Sequence, residues 1–105
     1  MSAPEELWLS QIRAVGLIDP LREYQGIEGR KFRFDFAWPM LKVAAECEGG
    51  TFIRGRHSRP LGMAKDIEKY NLAALQGWLV IRATPQQIKS GEAIHWLEQA
   101  LLPKK

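Results

Sequence analysis

Two blocks of strict alternation lie at the centre of the chain. From Lys31 to Phe36, Phe32, Phe34 and Phe36 take one side and Arg33 and Asp35 the other. From Lys42 to Glu48, Val43, Ala45 and Cys47 alternate with Ala44, Glu46 and Glu48. A period of two is the pattern of a half-buried strand. Trp38-Pro39-Met40-Leu41 separates the blocks, and Pro39 has no N–H to give to a ladder. Folding about the Met40–Leu41 bond predicts a hairpin in which Phe34 faces Cys47, Phe36 faces Ala45 and Asp35 faces Glu46. One face is then apolar, and the other gathers Asp35, Glu46 and Glu48 at cross-strand distances of roughly 4.5–5.5 Å.

Helical spacing appears on either side of the hairpin. Ser2 can cap a first helix with Pro4, Glu5 and Glu6 in its first turn. Trp8, Ile12 and Val15 form its apolar stripe, and Gly16 is placed to end it. Asp19-Pro20 makes a turn, Leu21 to Gln25 a short strand, and Gly26 to Gly29 a turn into the hairpin. Gly49 to Gly62 reads as a long loop. Met63 to Gln76 is the strongest helix, with Met63, Ile67, Tyr70 and Ala74 as its stripe and Gly77 as its stop. The apolar run from Trp78 to Ala83 predicts a strand buried on both faces. A strand–helix–strand unit crosses over right-handed, so this strand should lie parallel to Lys42–Glu48. Thr84-Pro85 opens a helix that Ser90-Gly91 breaks, and Ile94, Leu97 and Leu101 supply the last stripe. The sum is an α/β fold: one domain over residues 1–105, with helices on both faces of a four-stranded mixed sheet.

Composition narrows the chemistry. The 105 residues suffice for one core, and 46% hydrophobic with 26% charged residues is ordinary for a globular domain. A single Cys excludes an internal disulfide framework and a Cys-based zinc site, and suits a reducing, cytoplasmic compartment. No apolar run approaches the ~20 residues of a membrane span. The net charge is only +3, but Arg30, Lys31, Arg33, Arg54, Arg56 and Arg59 fall in or near the central third, which points to a polyanion partner.

Three carboxylates on one face repel one another unless a cation or a shared proton offsets them. Hard oxygen donors without Cys/His spacing suit Mg²⁺ or Mn²⁺. The same residues also fit a solvated hairpin face whose acids pair with Arg33 and Lys42. Glu23, on the neighbouring strand, is either solvated or turned toward the acids. The loop after Glu48 brings Arg54, Arg56, His57 and Arg59, which suit the grip of a phosphate beside a metal. His57 titrates in the range useful for proton transfer. Lys65 and Lys69 share one face of the following helix, from which a lysine can reach back to the acids.

The segments RFDFAWP, VAAECEGG, GRH, KD, EKYN and GWLVIR, in that order, resemble the PD-(D/E)XK nucleases. The resemblance is to the small bacterial and phage branch related to the very-short-patch mismatch repair endonucleases, and it runs from about Arg22 to Thr84. It implies a restriction-endonuclease-like αβββαβ core and metal-dependent hydrolysis of DNA phosphodiester bonds in phage or bacterial DNA processing or repair. It places Asp35 as the first acid and Glu46 as the second, with Mg²⁺ (or Mn²⁺) held by Asp35, Glu46 and Glu48. Glu48 stands where the usual motif has lysine, so Lys65, Lys69 or His57 would take that task. Arg33, Arg54, Arg56 and Arg59 would hold DNA. The cysteine-rich zinc element of the mismatch enzymes is absent, and mismatch specificity is not carried over. A domain this small covers few base pairs, so duplex cleavage would more readily come from a homodimer. The rival readings are a non-cleaving nucleic-acid-binding module or a subunit of a larger complex, and, more distantly, a glycosidase using Glu46 and Glu48.

Overall fold

The computed structural model describes residues 2–48 and 60–102. The elements are α1 (Ala3–Ala14), β1 (Leu21–Tyr24), β2 (Phe34–Trp38), β3 (Val43–Cys47), α2 (Pro60–Leu75), β4 (Leu79–Ala83), α3 (Pro85–Ser90) and α4 (Glu92–Leu101). The sheet has the order β1-β2-β3-β4; β1, β2 and β3 are antiparallel neighbours and β4 is parallel to β3. This is the mixed α/β sheet flanked by helices that the sequence predicts.

Local chemistry explains the element ends. Ser2 and Glu5 form a reciprocal capping box on α1, with Pro4 in the first turn. Gly16 follows the helix at φ 79°, a left-handed position that favours glycine. Trp8, Leu9 and Ile12 make the buried face. Val15, expected on that stripe, is the C-cap and exposed, because the chain leaves the helix there. A 3-10 turn at Pro39–Leu41 joins β2 to β3, closed by Lys42 at φ 56°.

The hairpin has the expected register: Phe36 pairs with Ala45, Ala37 with Ala44 and Trp38 with Val43. The ladder stops at Phe36. Beyond it the alternation breaks, and the three phenylalanines do not share a face. Phe36 and Trp38 pack with Trp8, Ile12, Ile88 and Leu97 on the side of α1, α3 and α4. Phe34, with Phe32 at its rim, packs with Ile27, Ala73 and Trp78 on the side of α2. The reversal falls at Asp35, whose side chain takes the Cys47 amide at 2.8 Å. Opposite it on β1, Glu23 sits at φ 51°, and the β1–β2 pairing passes over this position. A local break of this kind redirects side chains much as a bulge does.

Two further expectations are corrected. Among the described side chains of α2 the buried one is Ala73, while Met63, Ile67 and Ala74 are exposed. The helix begins earlier than Met63 and presents Lys69, Tyr70 and Ala73 to the sheet, because the sheet offers Glu46 there as a partner for donors. Strand β4 is not buried on both faces: it is the last strand, and Leu79 and Arg82 are exposed. The turn before β2 docks on the start of β4, where Trp78 Nε1 donates to the Gly26 carbonyl at 3.2 Å. A Cβ on Gly26 would lie 2.6 Å from the Trp78 ring, so this approach requires glycine.

Candidate functional site

Three elements converge on Asp35. Glu5 from the first turn of α1, Glu23 from β1 and Asp35 from β2 bring one carboxylate oxygen each within 4.8 Å of one another. Asp35 is half-buried, and its carboxyl is pushed up to about 6. Burial is the main cause; the Cys47 amide pulls the other way, and the charges of Glu46, Glu5 and Glu23 push further up.

Glu46 is buried and has partners of its own. Lys69 Nζ lies 2.6 Å from its Oε2 and also donates to the Arg33 carbonyl at 2.7 Å. The Tyr70 hydroxyl donates to its Oε1. Burial and the adjacent Glu46 charge raise the phenol far above its ordinary range, so Tyr70 remains a donor at any working pH. Arg82 lies over the Tyr70 ring, 4.0 Å from its centroid, and pairs with Glu48.

The acids expected on one face are thus distributed over three settings: Asp35 with Glu5 and Glu23, Glu46 with Lys69 and Tyr70, and Glu48 with Arg82. The break in β2 is the physical reason, since it ends the pairing that would have stacked Asp35 against Glu46. The two still sense each other, because the Glu46 charge raises the Asp35 carboxyl. Lys42 pairs with neither; it donates to the Gln76 carbonyl and lies 5.1 Å from the centroid of the Trp78 ring.

Of the other candidates, Lys69 reaches Glu46 alone of the three acids, while Lys65 and Arg33 are exposed. Arg54, Arg56, His57 and Arg59 lie outside the described residues. Glu5 and Tyr70 are functional candidates that sequence reasoning assigned to other tasks. Glu5 accounts for itself as a capping residue, and its Oε1 does accept from Ser2; Tyr70 accounts for itself as part of a stripe.

The donor set of Glu5, Glu23 and Asp35 is all oxygen, the kind of group that could hold a hard cation and that is also common without one. Burial and the neighbouring acids penalise the ionised form of Asp35. Comparison with protein-family models gives no match, and no curated protein or solved structure matches significantly.

Proposed function

We propose that the chain is a divalent-metal-dependent endonuclease that hydrolyses DNA phosphodiester bonds, of the PD-(D/E)XK kind. The observation that carries this reading is the meeting of Glu5, Glu23 and Asp35 on an αβββαβ frame. Asp35 would be the central ligand, with Glu5 and Glu23 completing the protein's share of the donors. A bound Mg²⁺ would orient a water, polarise the phosphoryl oxygen and neutralise developing charge.

The chain's own residues supply the rest. Lys69 is fixed between Glu46 and the Arg33 carbonyl, apart from the three acids, so the task of the lysine that the motif lacks at Glu48 is not assigned to it. The basic residues Arg33, Arg54, Arg56 and Arg59 would hold phosphates, contacts that position a duplex without reading sequence. His57 is the candidate for proton transfer.

One observation favours a second reading, a nucleic-acid-binding module that does not cut. Glu46, the second acid of the motif, is already satisfied by Lys69 and Tyr70 and has the setting of a structural pair. Nicking of supercoiled plasmid with Mg²⁺, against an EDTA control, tests both readings. Wild type should cut, while Asp35→Asn and Glu5→Gln should bind DNA and not cut. A wild type that binds DNA tightly and never cuts leaves the binding module.

A further inference from the structure

The segment between β1 and β2 lies outside the ladder of the sheet, yet α2 and its end hold it at three points. Glu28 N–H donates to the Gln76 side chain at 2.8 Å, and Gln76 donates back to the Glu28 carbonyl at 3.3 Å. Arg30 pairs with Glu68 at 3.0 Å. Lys69 Nζ donates to the Arg33 carbonyl at 2.7 Å. Two apolar side chains, buried Ile27 and half-buried Phe32, anchor the same segment in the cluster on the α2 side. The stretch from Ile27 to Arg33 is therefore a fixed ledge rather than a free loop.

This ledge presents cations. Lys31 and Arg33 are exposed, and so is Lys65. Lys65 precedes Glu68 by three residues and Lys69 by four, so it shares their helix face at roughly 5–6 Å and stands beside the ledge. Arg30 is balanced by Glu68, and Lys69 by Glu46. Among the described residues no carboxylate lies within ion-pair distance of Lys31, Arg33 or Lys65. Three like charges are thus gathered without a counter-charge, which attracts anions to this surface. Lys31 and Arg33 are at most about 7 Å apart along the backbone. Cations set side by side in this way suit an anion that repeats along a chain better than a single small one.

We propose that Lys31, Arg33 and Lys65 form a contact surface for the phosphate backbone of a nucleic acid, held rigid by the ties to α2. The proposal rests on the reading of the chain as one that takes DNA; it adds Lys31 and Lys65, and the place where the backbone lies. Because the ledge is already ordered, binding does not have to immobilise it. Contacts of this kind position a duplex without reading its sequence. Arg33 stands two residues before Asp35, so a backbone lying on the ledge passes close to Glu5, Glu23 and Asp35. The contact uses none of those acids and needs no metal.

Fluorescence anisotropy of a labelled duplex, titrated with the full chain in EDTA over a series of salt concentrations, tests it. Lys31→Ala, Arg33→Ala and Lys65→Ala should each lower the log–log salt slope by ~0.9, and the triple variant by ~2.7, with circular dichroism unchanged. Lys89→Ala removes an exposed cation from α3, on the other face of the sheet, and should keep the wild-type slope. A triple variant with the wild-type slope overturns the proposal. So does an equal loss in Lys89→Ala, which would mean that net charge alone matters, or a wild type that binds no duplex. Plasmid nicking with Mg²⁺ separates this result from the fate of the endonuclease reading. An unchanged slope in the triple variant, with nicking by wild type, overturns the ledge alone. Binding that depends on the ledge, without any nicking, upholds the ledge and overturns the cutting.

Discussion

Lys69 Nζ lies 2.6 Å from Glu46 Oε2, in a pair whose side chains are only 13% and 8% exposed. Removing one partner of such a pair leaves the other charge buried and uncompensated, which typically costs about 3–5 kcal/mol. Lys69→Met should therefore lower unfolding free energy in urea by about that much. The double variant Lys69→Met, Glu46→Gln should recover much of the loss. If Lys69→Met alone is neutral, the pair is not buried in solution.

The raised Asp35 carboxyl makes a pH prediction with a definite sign. Its native value of about 6 exceeds the ordinary 3.8, so the native state binds the proton more tightly than the unfolded chain. The favourable contribution is present below pH 3.8, is lost as pH rises toward 6 and is gone above it. Asp35→Asn keeps an acceptor for the Cys47 amide and removes the charge. Without metal, it should be more stable than wild type at pH 7, and the difference should shrink toward pH 4. A constant difference across that window would show that Asp35 does not titrate with folding.

A cation on Glu5, Glu23 and Asp35 should reverse that penalty. Mn²⁺ or Mg²⁺ at ~100 Kd should stabilise the native state by about 2.7 kcal/mol if only that state binds. Asp35→Asn and Glu5→Gln should abolish the shift in thermal melts. Glu48→Gln should retain it, because Glu48 is directed to Arg82 rather than to the three acids. Metal affinity should fall as pH drops below about 6, since the proton and the cation compete for Asp35. An equal response in Glu48→Gln and Asp35→Asn would disprove this ligand set.

Gly26 tests the packing of the turn on Trp78. An added methyl would lie 2.6 Å from the indole, so Gly26→Ala must displace the ring or the turn. A loss of about 1–3 kcal/mol is expected in chemical denaturation, with a changed near-ultraviolet signal from Trp78. An unchanged spectrum and stability would mean that the turn does not dock there.

The strand and helix order was readable because it depends on periodicity and end signals. The hairpin register followed from Pro39 and two matching alternations. The faces were less readable. Alternation extrapolated through Asp35 assigns Phe34 and Phe36 to one side, but a side chain that bonds a backbone amide breaks the period, and that bond joins residues twelve apart. In α2, hydrophobicity favoured Met63 and Ile67 for the inner face, whereas the sheet required donors for Glu46. Glu5 was hidden by its own explanation: a first-turn acid is expected at a helix N-terminus whether or not it does anything else.

The bond from the Cys47 amide to Asp35 makes one proton a built-in indicator. That N–H donates to a titratable carboxylate at 2.8 Å instead of to a backbone carbonyl, so its strength follows the charge of a single group. The Cys47 amide resonance should move upfield as acid neutralises Asp35, and it should resist that movement once a cation occupies the carboxylates. An NMR titration of one backbone signal then records proton and metal occupancy together, with no substrate in the tube.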